Sequence, residues 1–444
     1  MKRKDLYKTE GKNGKVFISA LIITGILFAG IALWSGGFFR KNAPKKITET
    51  GYEETGLKWK ESHEPEENNK SEAGYKRETE NASKTETIIA LYRDIYKEAV
   101  KYPAEIRANT TDSLEETKAL IRRLGEYGYT AVDRENQVNM TNPQAVMKFC
   151  ESAEEGQKAE LMLLVLSPFA DLTIYQCKTE NGTIMIVRED YQWKDESIRQ
   201  ISKISYPADF WEYTAEGYLL FGGTYDSDLN YVLELSEGQD CAALRVLPLD
   251  EKCREYGRTY LRSIGYRKNN LFLTDWSEED FGGLNFYDVF DSLYQIRYEQ
   301  PVPYEADENL NIKAEYRIPA QEFEAVIMPY FSIDKEELQR RTMYIPEEGV
   351  YVYRPRGFYE SEYPDIPCPE VTGYLENADG TITLLVNAVY PEEYTAKAFS
   401  HKTVIRPLPE GGFQYVSNEM LPSGQEPDLW WHSKRLTKEE WENL

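Results

Sequence analysis

The hydrophobic positions of this chain fall into three arrangements along its length. The first is a run of nineteen residues without a charge, VFISALIITGILFAGIALW, which begins at Val16 and ends at Trp34. An α-helix rises about 1.5 Å per residue, so this run nearly spans the roughly 30 Å hydrocarbon core of a bilayer. A buried helix of a soluble protein normally has a polar face, and this run has none. The pattern predicts a transmembrane helix over 16–35 after a tail over 1–15.

A cleaved signal peptide is the main alternative for this segment. Its apolar region is usually about 7–15 residues long and ends at a small-x-small site. The run here is longer, and residues 35–40 contain no A-x-A pattern, although Gly30 and Ala32 have that spacing inside the run. We therefore expect an uncleaved anchor. Six Lys and Arg residues precede it and four follow it closely, which favours a cytoplasmic N-terminus and an extracytoplasmic C-terminal region.

The second arrangement is a polar stretch over residues 36–85 that has almost no periodic hydrophobic positions. Its most polar part reads KESHEPEENNKSEAGYKRETENASKTE. Such a segment cannot bury enough apolar surface to offset the entropy of ordering its backbone. The composition predicts a disordered linker between the membrane and a folded region.

The third arrangement begins near residue 86, where hydrophobic residues recur with helical spacing. A capping-box pattern, Ser83 with Glu86, predicts a helix that places Ile88 and Ile95 on one face. A second box follows at 113–116. Asn142 and the proline after it predict a third helix, because proline is favoured in the first turn.

From residue 159 onward the period changes to that of β-strands. Asn181 and Gly182 form a strong hairpin signal between two of these segments. Regular short strands with turns between them predict an antiparallel meander. The predicted strands cover residues 160–166, 173–177, 183–187, 201–206, 210–213, 218–221, 231–235 and 242–246.

The remaining segments complete an α+β pattern dominated by antiparallel sheet. A proline-containing turn at 300–303 suggests a subdomain boundary, so we predict one subdomain over 86–300 and another over 301–444. In the second, Pro319 opens one helix, and Ser332 or Asp334 opens another. The other predicted elements are helices over 250–263 and 285–297, a strand over 271–274, hairpins over 371–390 and 402–417, and a C-terminal helix capped by Thr437.

Charge and cysteine content restrict the function classes. The first 46 residues hold ten Lys and Arg against two Asp and Glu, and the rest of the chain holds 42 against 74. A region that negative repels nucleic acid, so we expect no nucleic-acid partner. Five cysteines, none in a C-x-x-C motif, are too few for a disulfide scaffold. Their odd number leaves at least one outside intramolecular pairs.

Few motifs in the chain point to catalysis. The only histidines are His63, His401 and His432, so a metal site built from several histidines is not expected. There is no G-x-S-x-G elbow for a serine triad, no Walker A motif and no dinucleotide-binding fingerprint. We therefore expect no cofactor. Asp275 and Glu278, in the densest acidic-aromatic cluster, have the spacing of a helix start, with Asp275 as its cap.

One segment has the spacing of a calcium-binding loop. Asp226, Asp228, Asn230 and Glu237 occupy positions 1, 3, 5 and 12 of an EF-hand pattern. Tyr231, however, stands at the sixth position, where the loop requires glycine. The flanking residues also read as strands. A polar turn is therefore the stronger interpretation, and calcium the weaker one.

A second weak candidate is a basic-aromatic patch in the C-terminal part. It comprises Tyr351, Tyr353, Arg354, Arg356 and Tyr359. Tyrosine rings stack on sugars and peptides, and they also suit half-buried strands. The pattern suggests an exposed site for a ligand or partner.

Five segments of the chain resemble an uncharacterised domain-of-unknown-function family. They read GYTAVDRENQVNMTN (128–142), LRVLPLDEKCRE (244–255), LFLTDWSEEDFGGLNFYDVFD (271–291), PRGFYESEYPDIPCPEV (355–371) and VIRPLPEGGFQYVSN (404–418). The family consists of membrane-anchored or lipid-anchored extracytoplasmic proteins of Gram-positive anaerobic bacteria. The resemblance covers about residues 86–444. It implies a location at the cell envelope and supplies no catalytic residues.

These observations lead to two functional hypotheses. The first is a single-pass membrane protein that binds a partner or cell-wall ligand through its extracytoplasmic region. The second is a membrane-tethered hydrolase that acts on envelope glycan or peptide through an Asp/Glu pair. With 76 Asp and Glu in the chain, the sequence alone does not select such a pair. Neither the ligand nor the oligomeric state follows from the sequence.

Overall fold

The structure describes most of the chain beyond residue 71. It is a computed structural model, and it describes residues 72–100, 113–194, 197–227, 232, 236–304, 314–357, 360–361, 363–422, 427–437, 439–440 and 443, with 72–83 as backbone only. The predicted tail, the transmembrane helix and the linker up to residue 71 lie outside this set. Within it, no helix is both long enough and apolar enough to cross a bilayer.

The described residues fall into two units of unequal size. Those up to Thr87 and those within Asp226–Gly238 belong to the smaller unit, and those within Ile88–Tyr225 and Gln239–Leu444 belong to the larger. Two five-stranded and two three-stranded sheets, together with several helices, give the described residues an α+β architecture rich in antiparallel pairing. The predicted fold class is thus confirmed for this part of the chain.

The first helix, α1, begins earlier than its capping box predicted. It covers Glu72–Ala99, although the box starts at Ser83 and the predicted linker extends to residue 85. Glu, Ala, Lys and Arg are frequent before Ser83 and are good helix formers, which is consistent with the earlier start. Further along the helix, the buried Tyr92 donates a hydrogen bond of 2.7 Å to the carbonyl of Ala170.

The first sheet confirms the predicted meander and adds one strand to it. Its strands β2 to β5 are antiparallel neighbours in chain order, and β1 joins β2 in parallel. Asn181 and Gly182, both with positive φ, form the predicted hairpin turn. The strands are β1 (Thr130–Asp133), β2 (Ala159–Leu166), β3 (Leu172–Glu180), β4 (Thr183–Lys194) and β5 (Ser197–Pro207).

Helices cover both faces of this sheet. Helix α2 (Ser113–Glu126) packs with α1 on one face, and α3 (Pro143–Glu154) packs on the other. The alternation of side chains along β2 explains this arrangement. Leu161, Leu163 and Val165 join the core that contains α3, whereas Leu164 and Leu166 join the core that contains α1 and α2.

The second sheet has three strands and leaves β8 at its edge. The strands are β6 (Phe210–Tyr213), β7 (Tyr218–Tyr225) and β8 (Gly238–Arg245), in that order. Leu219, Phe221, Ala242 and Leu244 extend the core that contains α3. The strand predicted over 231–235 lies largely outside the described residues.

The segment after β8 corrects two sequence predictions. Helix α4 (Glu251–Tyr256) begins where the helix over 250–263 was predicted, with Asp250 as its cap, and a π-helical turn over Gly257–Leu261 continues it. The predicted strand over 271–274 is wrong, because Asn269 folds that stretch into turns by accepting from the Leu271 amide. The predicted helix start at Asp275 is also wrong, because Trp276–Ser277 forms strand β9 instead.

The C-terminal elements build the other two sheets around an aromatic core. One five-stranded sheet has the order β13-β14-β15-β16-β9, and the last three-stranded sheet has the order β10-β12-β11. The predicted helices at Pro319 and Asp334 and both predicted hairpins are present. The elements are α5 (Phe286–Tyr298), β10 (Tyr316–Pro319), α6 (Ala320–Ile327), α7 (Lys335–Arg340), β11 (Tyr344–Ile345), β12 (Val350–Tyr353), β13 (Cys368–Glu376), β14 (Ile382–Val389), β15 (Ser400–Pro407) and β16 (Phe413–Met420).

The largest apolar core crosses the position of the predicted subdomain boundary. It contains buried residues from Leu249 to Trp431, on both sides of residue 300. Within it, Phe290 stacks on Phe323 with ring centroids 4.7 Å apart. These two rings come from α5 and α6, so the core joins residues from both predicted subdomains.

Candidate functional site

A cavity of about 440 Å³ lies in the larger unit of the described residues. It follows the outer edge of β8 over residues 240–244. Four further segments close around that edge, namely the turn after β1, residues 249–262, the first residues of β13 and the turn at Pro391. Its volume lies within the range of about 300–1,000 Å³ that is typical of small-molecule sites.

Asn136 shapes the cavity by pairing with the edge of β8. It adopts a left-handed conformation with φ 56°, which asparagine tolerates better than most residues. Its side-chain amide donates to the Ala243 carbonyl at 2.9 Å, and its side-chain oxygen accepts from the Arg245 amide at 2.8 Å. One side chain therefore takes the place of a neighbouring strand over two residues of β8.

The same pairing identifies the outward-facing backbone groups of β8. Along a strand, the backbone groups of every second residue point to the same side. Since the Arg245 amide and the Ala243 carbonyl point outward to Asn136, the amide and carbonyl of Cys241 point outward as well. Cys241 lines the cavity together with Ala243 and Asn136, so its outward-facing groups lie next to the pairing with Asn136.

One wall of the cavity contains Asp240, a buried carboxylate that accepts hydrogen bonds from two side chains. Asp240 is 4% exposed. It accepts from Arg188 at 2.7 Å and from the hydroxyl of Tyr206 through a short hydrogen bond. Arg188 also donates to Asp190 at 3.0 Å. Burial and the charge of Asp240 raise the pKa of Tyr206, so its hydroxyl remains a donor.

Tyr175 lies on the same wall and has an unused hydroxyl. The residue is 5% exposed and lines the cavity. Among the residues that the structure describes, none forms a hydrogen bond with its hydroxyl. Burial and nearby Asp240 raise its pKa, whereas Arg188 and Arg134 act in the opposite direction. A protonated hydroxyl is therefore available to a bound molecule.

A second ion pair forms the opposite boundary. Glu370, from β13, accepts from Arg245 at 2.6 Å and from the Tyr218 hydroxyl at 2.6 Å. The Arg245 guanidinium lies 5.3 Å from the centroid of the Tyr218 ring. Its Nε is buried and has no hydrogen-bond partner among the described residues. Burial raises the pKa of Glu370, although Arg245 and Tyr218 lower it.

Arg254 brings a buried positive charge to the cavity. It is 4% exposed and donates to three neutral acceptors, the carbonyls of Asn136 and Leu249, both at 3.0 Å, and the side chain of Asn139 at 2.8 Å. Burial lowers its pKa, and the more distant Asp133 raises it. These bonds fix the turn after β1 against α4.

Glu392 is the carboxyl group of the cavity that has the fewest partners. It is half-buried, the thiol of Cys241 lies 3.9 Å from it, and its own backbone amide also donates to it. No Lys or Arg of the described residues forms an ion pair with it. Burial raises its pKa, and the neighbouring Asp365 and Glu393 raise it further.

Three of the five cysteines line the cavity, and all five are free thiols. Burial raises the pKa of Cys241 to about 12 and also raises the pKa values of Cys253 and Cys368. A protonated thiol is neither a good nucleophile nor a metal ligand. Consistently, no group of three His, Cys, Asp or Glu in the described part of the chain is placed to hold a metal ion.

The arrangement is chemically better suited to binding than to covalent catalysis. Its thiols are protonated, and the carboxylates of Asp240 and Glu370 are occupied by Arg and Tyr donors. Charged groups of both signs are held in place by hydrogen bonds, which preorganises the site for a polar ligand.

The basic-aromatic patch predicted from the sequence is not an exposed surface. Tyr351 and Tyr353 are 0% and 2% exposed. Arg356 donates to both carboxylate oxygens of Asp288, at 3.1 and 2.9 Å, and belongs to a buried ion-pair cluster. Arg354 donates to Glu315, and Tyr359 lies outside the described residues. The prediction of an exposed patch is therefore wrong for Tyr351, Tyr353 and Arg356. Their role in ligand binding stays a prediction.

The structure leaves the calcium prediction untested. Asp228 and Asn230 lie outside the described residues, whereas Asp226 and Glu237 are described and belong to the smaller unit. The proposed ligands cannot therefore be placed together as a set.

The buried histidine of the chain is part of the packed core. His401 is fully buried, accepts or donates with Tyr266 at 3.0 Å, and contacts Asn418 at 2.8 Å. Burial lowers its pKa to about 3, although the hydrogen bond with Asn418 raises it. It is neutral at pH 7 and shielded from solvent, as expected for a packed histidine.

Sequence reasoning did not identify the cavity residues. They come from segments far apart in the chain, and none forms a local motif. The one sequence signal that points to these residues is the family resemblance. The segments that carry it over 128–142, 244–255 and 355–371 supply Asn136, Arg254 and Glu370 of the cavity.

Comparison with known proteins places most of the chain in one family. Residues 78–435 match a family of unknown function, DUF6070. No curated protein and no solved structure matches the chain.

Proposed function

The chain belongs to the DUF6070 family, and we propose that it is a membrane-anchored extracytoplasmic protein whose cavity beside β8 binds a small polar ligand. The observation that carries this proposal is the unused bonding capacity of the cavity. The Tyr175 hydroxyl has no partner among the described residues, and the Glu392 carboxyl has no cation beside it. A polar ligand would satisfy both groups, because buried polar groups are normally hydrogen-bonded.

The location is supported by the apolar run between Val16 and Trp34 and by the basic residues before it. Protease treatment of intact cells, followed with an antibody to the C-terminal region, tests this part. We expect release of that region by cleavage between the membrane span and residue 71. Protection in intact cells together with cleavage in a lysate would contradict an extracytoplasmic location.

Ligand binding is tested with the full chain purified in detergent micelles. Mixtures of free amino acids, short peptides and amino sugars are added, and the midpoint of thermal unfolding is followed. A binding compound raises the midpoint, because it stabilises only the folded state. Tyr175→Phe should reduce that rise, and the matched control Tyr127→Phe, at an exposed ring, should not. Equal responses of the two variants would place the ligand elsewhere.

A hydrolase that uses two carboxyl groups is the second candidate, and one observation favours it. Glu370 and Glu392 line the same cavity, and both have raised pKa values, as general acids often do. Chromatography of envelope peptides and glycans after incubation with the full chain distinguishes the candidates. New products that disappear with Glu392→Gln would favour the hydrolase, and binding without products would favour the binding protein.

A further inference from the structure

We propose that the ligand of this cavity is a short peptide in extended conformation, which pairs with the free edge of β8 and places an ammonium group against Glu392. This inference rests on the proposed function, because it names the ligand class of the same cavity. Three features of the described residues carry it: an open strand edge, a carboxyl group without a cation, and a tyrosine hydroxyl that lines the cavity without a partner.

The strand edge provides the backbone recognition. β8 ends its sheet, and an edge strand offers a row of amide and carbonyl groups to any extended chain. Asn136 already occupies this edge at Ala243 and Arg245 with two hydrogen bonds. The next outward-facing groups, the amide and carbonyl of Cys241, lie along the cavity. A peptide residue placed there would continue the pairing that Asn136 begins, in the manner of β-strand addition.

The charge of the ligand follows from Glu392. Its carboxyl group lies 3.9 Å from the Cys241 thiol, beside the proposed backbone pairing. Asp365 and Glu393 make its surroundings more negative. A ligand ammonium group would pair with this carboxylate, and a second carboxylate there would be repelled.

The ligand also needs a hydrogen-bond acceptor. Tyr175 is 5% exposed, and its hydroxyl has no partner among the described residues. Arg134 lines the cavity close to it and is exposed, with one hydrogen bond of 3.2 Å to Thr173. A peptide carbonyl or terminal carboxylate would accept from these two donors. An extended peptide with a free amino group therefore matches all three features, whereas an uncharged sugar leaves Glu392 without a cation.

Three tripeptide probes test the inference against the full chain in detergent micelles. They are Ala-Ala-Ala, its N-acetylated form, and a form with an N-methyl group on the central amide. Saturation-transfer NMR detects binding, and titration gives each Kd. We expect Ala-Ala-Ala to bind, and both modified peptides to bind at least tenfold more weakly. Acetylation removes the ammonium group, and N-methylation removes a backbone donor.

Variants connect the probes to the site. Glu392→Gln should abolish the preference for the free amino group, and the matched control Glu410→Gln, at an exposed turn, should keep it. Equal binding of the three probes to the unmodified chain would overturn the inference. Binding of N-acetylglucosamine but of no peptide would also overturn it and leave the proposed binding function intact. Failure of every polar compound to bind would overturn both.

Discussion

Buried charged groups occur both in the cavity beside β8 and in the Asp288 cluster, which is formed by Asp288, Asp291, Arg356 and Arg435. The two regions differ in whether their polar groups all have hydrogen-bond partners within the protein. In the cluster, Asp288 accepts from Arg356 and Arg435, and Asp291 accepts from Arg435 and Tyr353. In the cavity, the Tyr175 hydroxyl has no partner and the Glu392 carboxyl has no cation among the described residues. A buried polar group whose hydrogen bonds are all made within the protein stabilises the fold. A polar group with unused hydrogen-bonding capacity is available to a ligand.

The largest effect is expected from breaking the complete cluster. Asp288→Asn removes the charge that two buried guanidinium groups share, and should lower the free energy of unfolding by about 3–5 kcal/mol. Urea unfolding of the full chain measures the change. Glu315→Gln is the control, since its partner Arg354 lies in a more exposed pair, and it should cost less than about 1 kcal/mol. A loss below about 1 kcal/mol for Asp288→Asn would show that the cluster is not a stabilising unit.

A second effect concerns pH and the enclosed His401. Its folded pKa of about 3 lies below the usual value of about 6.5, so the unfolded chain binds the proton more tightly. The associated stability is present above pH 6.5 and is lost as pH falls toward 3. Between pH 7 and pH 5, His401 should account for a loss of about 2 kcal/mol. Urea unfolding of His401→Gln at both values should show a weaker pH dependence, and an unchanged dependence would contradict the prediction.

A third comparison uses two tyrosines of one cavity wall. Tyr206→Phe removes a donor from buried Asp240 and should cost about 1–3 kcal/mol. Tyr175→Phe removes a hydroxyl that has no protein partner, so its free energy of unfolding should change by less than about 0.5 kcal/mol. Parallel urea titrations measure both. A similar loss for the two variants would mean that the Tyr175 hydroxyl is already used by the protein.

The smallest expected effect comes from Glu392 and has the opposite pH dependence to His401. Its folded pKa is raised by burial, so the folded chain binds the proton more tightly. Stability is therefore lost as pH rises above the usual glutamate value. Glu392→Gln should slightly raise the unfolding midpoint at pH 7, with the difference shrinking toward pH 4. A destabilised variant at pH 7 would indicate an ion partner for Glu392.

Local signals predicted the elements well and the sites poorly. The hairpin at Asn181 and the helix start at Asp334 depend on neighbouring residues. The hairpin forms as predicted, and of the two predicted helix starts, Ser332 and Asp334, the structure has Asp334. Asp275 was misread as a helix cap, because strand β9 forms by pairing with Ser417 and Asn418, far along the chain. The cavity has the same origin in distant contacts, since Asn136 donates to the carbonyl of Ala243, 107 residues further along the chain.

The exposed patch was misjudged for a related reason. Alternating tyrosines near Arg356 fit a surface site and a buried strand equally well. The partner that decides between these interpretations is Asp288, in α5, which no local pattern connects to β12. Burial of charged residues thus depends on partners that the sequence does not place nearby.

The central claim is that the cavity has polar groups whose hydrogen-bonding capacity is free for a ligand. Its most direct test is hydrogen–deuterium exchange of β8 in the full chain, with and without Ala-Ala-Ala. We predict slower exchange in the peptide that contains Cys241 when Ala-Ala-Ala is present, because its amide gains a hydrogen-bond partner. Binding of Ala-Ala-Ala without a change in this peptide would contradict the claim that the edge of β8 receives the ligand.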